Sequence, residues 1–97
     1  MPEFILLCHD KKTSLELRKA TRTAHLDYVA TAENPVLLAG PMLDEEGNPE
    51  GSLLIISAED KEAAKRFADN DPYALAGLFA RVEIRPYLIV KANITDK

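Results

Sequence analysis

Glu3-Phe4-Ile5-Leu6-Leu7-Cys8-His9 decides the fold. Its five central residues form an unbroken apolar run, too short for a stable helix and long enough for a strand. Alternation along such a strand sends Phe4, Leu6 and Cys8 to one side of a sheet and Ile5, Leu7 and His9 to the other. Both sides are apolar, so both need cover. Asp10-Lys11-Lys12 then ends the run with charge.

Working outward, Thr13 with Glu16 three residues later has the form of a capping box, predicting a first helix from Thr13 to about Glu33, where Asn34-Pro35 stops it. Val36 to Ala39 reads as a second strand, ended or bulged by Gly40-Pro41. The acidic stretch Asp44 to Gly51 is rich in turn formers and reads as a hairpin loop, returning as a third strand over Gly51 to Ile56 that is again apolar on both sides. Ser57 to Asp60 is a second capping signature, and Ala63, Ala64, Phe67 and Ala68 give the second helix a narrow buried face that closes near Asn70. Asp71-Pro72 starts a short helix through Leu78, and Arg81 to Lys91 is the last strand. Ala92 to Lys97 reads as a frayed tail.

The order β-α-β-β-α-β predicts an α+β, ferredoxin-like fold: one domain spanning 1–97, with an antiparallel sheet and helices on one face. Both long helices are used on that face, so the far side of the two-faced strands needs another cover. The simplest is the same sheet of a second copy, which predicts a homodimer.

The 97 residues carry a formal net charge of −4, which argues against nucleic acid as a partner. No apolar run approaches a membrane span, and the N-terminus lacks the pattern of a signal peptide. With one cysteine, Cys8, the expectation is a cytoplasmic protein without disulfides. Neither a glycine-rich phosphate loop nor a histidine spacing suited to a metal is present, so neither a cofactor nor a metal is expected.

On the first helix, Arg18 and His25 point within about 20° of each other and Arg22 lies about 60° to one side, a cationic stripe around an imidazole. Leu17, Ala20, Ala24 and Tyr28 have the spacing of a neighbouring buried face, which puts His25 where core meets solvent. An imidazole there can move a proton if a second group fixes its tautomer, and it can equally be an inert, hydrogen-bonded surface residue. Asp71 stands at a break between helices, where it can orient His25 or serve only as a helix cap. Arg18 and Arg22 could grip an anionic or phenolic small molecule, or pair with Glu16, Asp27 or the acidic loop. His9 and Asp10 at the end of the first strand, and Tyr73 after Pro72, are candidates for the border of the same cavity. Cys8, inside an apolar run, reads as a buried structural thiol.

Phe4-Ile-Leu-Leu7, Arg22-Thr-Ala-His25-Leu26, Ala39-Gly-Pro-Met42, Asp71-Pro72-Tyr73 and Val82-Glu-Ile-Arg-Pro86-Tyr87 together resemble the YciI-like proteins of the dimeric α/β-barrel superfamily, over essentially the whole chain. The resemblance implies a homodimer whose two sheets form a barrel-like core. It also implies that His25 and Asp71 fall on the histidine and aspartate that the family's R-x-A-H-L and D-P-[YF] motifs supply as a catalytic dyad. The few assigned activities of the family are proton-transfer chemistry on small ring compounds, including dehydrochlorination of chlorinated hydroquinones. The expectation is therefore a cofactor-independent lyase or isomerase, with a non-catalytic small-molecule-binding or accessory dimer as the alternative. The short acidic loop and His9 depart from the family's pattern.

Overall fold

A computed structural model describes residues 1–94. The elements are β1 (Glu3–Asp10), α1 (Leu15–Thr31), β2 (Val36–Leu43), β3 (Pro49–Ser57), α2 (Lys61–Asp69), the single turn α3 (Pro72–Leu75) and β4 (Phe79–Tyr87). The strands form one antiparallel sheet in the order β2-β3-β1-β4. With the helices on one face, this is the ferredoxin-like βαββαβ arrangement.

Alternation places the core. Phe4, Leu6 and Cys8 of β1 and Leu54 and Ile56 of β3 are buried beneath the helices, joined by Ala64, Phe67 and Ala68 of α2. Ile5 and Leu7 pair across the sheet with Ile55 and Leu53, on the opposite face, where all four are only half-buried. The far side therefore carries apolar residues at its centre that no helix among the described residues covers.

Several boundaries differ from the sequence reading, each for a local reason. Thr13 is not a cap: it has a left-handed φ of 55°, its hydroxyl donates to the Lys12 carbonyl, and Ser14 begins the helix without a side-chain capping bond. Helix α2 is capped by Asp60, whose Oδ1 accepts from the Ala63 N–H at 2.8 Å, while Ser57 is the last residue of β3. Gly40-Pro41 neither ends nor bulges β2, which runs through to Leu43. As an edge strand it tolerates the missing proline N–H, and its irregularities fall at Val36/Leu38 and Met42/Leu43. The short helix stops at Leu75, because the chain turns at Gly77 with φ 78°. Strand β4 begins earlier than expected, at Phe79, and ends at Tyr87. Leu88 to Ile94 have no regular structure, which takes in the start of the tail expected at 92–97; its last three residues lie outside the described residues.

The largest departure is the facing of α1. Leu17, Ala20 and Ala24, expected inside, are exposed, and Tyr28 is half-buried. Arg18 and His25 are the buried residues of the helix, at 5% and 8% relative exposure. The cationic stripe is the inner face. Farther along that face Tyr28 packs its ring against Phe67, 5.0 Å between centroids, and donates its hydroxyl to the Phe67 carbonyl at 2.8 Å. One half of α1 is thus anchored by apolar packing and the other by polar pairs.

Candidate active site

The polar half of α1 lies over three elements. From the end of β1 comes Asp10, on the same side as Cys8; from β3 comes Ser52; from the turn into α3 come Asp71 and Tyr73. The Arg18 Nε and Nη2 donate to the two oxygens of Asp10 at 2.7 and 3.1 Å, and Nη2 also donates to Ser52 Oγ at 2.8 Å. Burial works against the guanidinium charge, but the bidentate bond and the charge of Asp10, with Tyr73 adding in the same direction, outweigh it and raise the Arg18 pKa above its ordinary value. This pair is closed to solvent, with side-chain exposures of 6% and 5%.

His25 Nδ1 lies 2.9 and 3.0 Å from the two oxygens of Asp71. Asp71 Oδ1 also accepts from the Tyr73 N–H at 2.9 Å and so caps α3. Asp71 thus bonds His25 and caps α3 at once, because a carboxylate has lone pairs enough for both. An ionised carboxylate only accepts, so the neutral His25 ring carries its proton on Nδ1 and leaves the lone pair on Nε2. Among the described residues every fully buried side-chain nitrogen or oxygen has a hydrogen-bond partner. Nε2 has none, so it is accessible.

It opens on a cavity of about 300 Å³ between α1 and the β2–β3 edge of the sheet, bordered by Arg18, Arg22, His25 and Tyr73 and walled by Leu15, Leu26, Val29, Pro41 and Pro49. That volume is at the small end of ligand sites and suits a single ring. The Tyr73 ring stacks on the imidazole of His25, 4.1 Å between centroids at 20°, and the Arg18 guanidinium carbon lies 4.5 Å from the same ring's centroid. Burial raises the Tyr73 pKa, opposed by the charges of Arg18 and Arg22 and assisted by Asp71 and Asp10, so the phenol stays protonated. Beneath them Cys8 is pushed up to about 12, first by burial and then by Asp71, with Arg18 opposing and Asp10 adding. It is a packed thiol, not a nucleophile.

Of the residues singled out in the sequence, Arg18, Arg22, His25 and Tyr73 line this cavity, and Asp71 is buried behind it, bonded to His25. Arg18, expected to hold substrate, is instead committed to Asp10 and Ser52. Arg22 is exposed and makes no ion pair among the described residues, so it is the uncommitted cation. His9 does not reach the cavity: it lies on the opposite face of the sheet, its Nε2 3.1 Å from the Arg81 guanidinium of β4. The period-two alternation of β1 that buries Cys8 and Asp10 under α1 turns His9 away. Ser52 was not anticipated, and no local signal marks it. Among the described residues no three His, Cys, Asp or Glu side chains gather as a metal site.

The YCII-related domain family matches residues 3–88. Protein YciI of Escherichia coli O6:H1 is 36% identical over 92 residues, covering 87% of this chain and 94% of that protein. An uncharacterized protein of Haemophilus influenzae is 37% identical over 92 residues, with the same coverage of 87% and 94%. Among solved structures, the 5-chloro-2-hydroxyhydroquinone dehydrochlorinase of Burkholderia phenoliruptrix, in complex with 2,5-dihydroxybenzoquinone, superposes with a TM-score of 0.80 at 30% identity, covering 89% of this chain and 93% of that one. An antibiotic biosynthesis monooxygenase from Bacteroides thetaiotaomicron shares the fold, with a TM-score of 0.61 at 16% identity over 99% of this chain and 95% of that one.

Proposed function

The chain belongs to the YCII-related family, and from that premise we propose that it is a small lyase or isomerase acting by proton abstraction on an anionic or phenolic ring compound. The observation that carries the reading is the His25–Asp71 pair, 2.9 Å from Nδ1 to Oδ1, whose remaining nitrogen opens on the 300 Å³ cavity. The dehydrochlorinase at 30% identity supports the reaction class.

In this reading His25 Nε2 takes a proton from a C–H or O–H of the ring. The electron pair left behind moves into the ring and takes a proton at the carbon that bears the leaving group, giving the keto tautomer; removal of a second hydroxyl proton then expels that group as an anion, chloride in a dehydrochlorination, and leaves a quinone. Where there is no leaving group, the pair is reprotonated at another atom, which is tautomerisation. Electrons balance within the substrate, so the step calls for no redox cofactor. Asp71 fixes the tautomer and stabilises the imidazolium that forms. Arg22 attracts the anionic group, and the protonated Tyr73 hydroxyl, which has no acceptor among the described residues, is free to donate to a developing oxyanion.

A second copy of the chain is the proposed cover for the apolar centre of the open sheet face, giving a homodimer of cytoplasmic location. Light scattering at micromolar concentration should read twice the chain mass, and a monomer there would remove the dimer.

The activity is tested by incubating the protein with 5-chloro-2-hydroxyhydroquinone and measuring chloride release. Wild type should release chloride and His25→Ala should not. Tight binding of 2,5-dihydroxybenzoquinone by both proteins, with no release by either, would replace the lyase by a small-molecule-binding dimer.

A further inference from the structure

A hydrogen bond fixes where a ring nitrogen sits, but it tolerates bends of up to about 30° and so sets the ring plane only loosely. For His25 the bond to Asp71 sets Nδ1, and a second contact must narrow the tilt of the imidazole if Nε2 is to face one point in the cavity. The face of Tyr73, stacked at 4.1 Å and 20°, is that contact. Tyr73 itself sits on a helix of four residues, held by its backbone N–H to Asp71 and by an edge contact with Phe79 at 6.0 Å. Tyr73 is 2% exposed, and the charged group against the face of its ring is the Arg18 guanidinium, 4.5 Å from the centroid.

Arg18 is unusually well placed to serve. Its planar fork is held by Asp10 from β1 and Ser52 from β3, so its orientation is set by two central strands of the sheet. Arg18 and His25 leave α1 seven residues apart, about 10.5 Å along the helix axis, and Tyr73 bridges them. We infer that the Asp10–Arg18–Ser52 cluster is a positioning device: it holds the Tyr73 ring against His25 and thereby sets the plane in which Nε2 meets the substrate. Arg18 acts through Tyr73 and does not itself carry the anion. The importance of the device rests on reading His25 as the base, but the restraint itself is measurable without substrate.

A stacked tyrosine shifts the Cδ2 and Cε1 protons of an imidazole upfield by its ring current. NMR of the ligand-free protein should show that shift for His25 in the wild type and in Tyr73→Phe, which keeps the ring. Arg18→Lys keeps the charge and loses the planar fork, and should lose most of the shift while the protein stays folded. Ser52→Ala removes one of the three bonds and should reduce the shift in the same direction. If folded Arg18→Lys retains the wild-type shift, or if Arg18→Lys does not fold and Ser52→Ala retains it in full, the positioning role is wrong. Chloride release measured on the same variants separates the two ideas. A lost ring shift with no activity in any variant upholds the device and rejects the lyase, whereas an unaltered shift in an active enzyme does the reverse.

Discussion

Arg18 and His25 leave the same face of α1 two turns apart, and each meets a buried carboxylate, yet the two pairs are finished differently. Arg18 gives two bonds to Asp10 and a third to Ser52 and cannot lose its proton, so that pair does not titrate and acts as a strut. His25 gives one nitrogen to Asp71 and keeps the other at the cavity, so that pair can take up and release a proton. Burial and charge alone therefore do not tell the two pairs apart. An uncommitted, titratable atom facing a cavity does.

The contrast can be broken from either side. The largest effect is expected at His25: His25→Ala should lower turnover by about 10²–10⁴-fold, the range for a lost general base, as read by chloride release. Its cost in stability should be only about 1–3 kcal/mol, because Asp71 keeps the Tyr73 N–H as a partner. Arg18→Leu should reverse the weights. It leaves Asp10 buried without its counter-charge and should cost about 3–5 kcal/mol in urea unfolding. If His25→Ala destabilises more than Arg18→Leu, the distinction between strut and reactive pair is lost.

Cys8 lies beneath both pairs and reports on them. Its pKa is raised in the folded protein from 9.0 to about 12, so the protein holds a proton there that the unfolded chain releases. The associated stability is present below pH 9 and lost as the pH climbs from 9 to 12. At about 1.4 kcal/mol per pH unit the loss is up to about 4 kcal/mol. Tyr73 and Tyr28, both raised above 10.0, add in the same direction at the alkaline end. Urea titrations across that range should slope downward in the wild type, and Cys8→Ala should flatten the part between pH 9 and 10. The smallest effect is expected at Arg22, exposed at the cavity mouth. Arg22→Gln should weaken binding of 2,5-dihydroxybenzoquinone by about five- to tenfold, near 1 kcal/mol, and change stability by less than about 0.5 kcal/mol, as calorimetry and melting would show. A larger loss from Ser52→Ala than from Arg22→Gln would move the anion from Arg22 to the Arg18 cluster.

Much of this was legible in the chain. The apolar run Phe4–Cys8 set the strand and its two faces, Asp71-Pro72 marked the helix start, and Arg22, His25 and Leu26 of the stretch Arg22 to Leu26 line the cavity. What failed was the inner face of α1, and the reason is physical. Hydropathy sends charges outward, but Arg18 and His25 turn inward because their partners wait there, and those partners come from Asp10, Ser52 and Asp71, with Ser52 and Asp71 distant in sequence. Leu17 and Ala24 then face outward by default. The capping box at Thr13 failed for a subtler reason: the pattern was present, but the backbone at Thr13 turns left-handed and Ser14 takes the position instead. His9 shows the opposite error, since alternation already assigned it to the far face and only its nearness to Asp10 suggested the cavity.

The central claim is that Asp71 accepts a hydrogen bond from the Nδ1–H of His25, holding the proton there and leaving Nε2 as the free base. Nitrogen-15 NMR of the two ring nitrogens, recorded where the ring is neutral, tests it most directly. The account predicts a protonated Nδ1 and an unprotonated Nε2 in the wild type, with that tautomer weakened in Asp71→Asn. A ring protonated at Nε2 in the wild type, or one indifferent to Asp71→Asn, would contradict it.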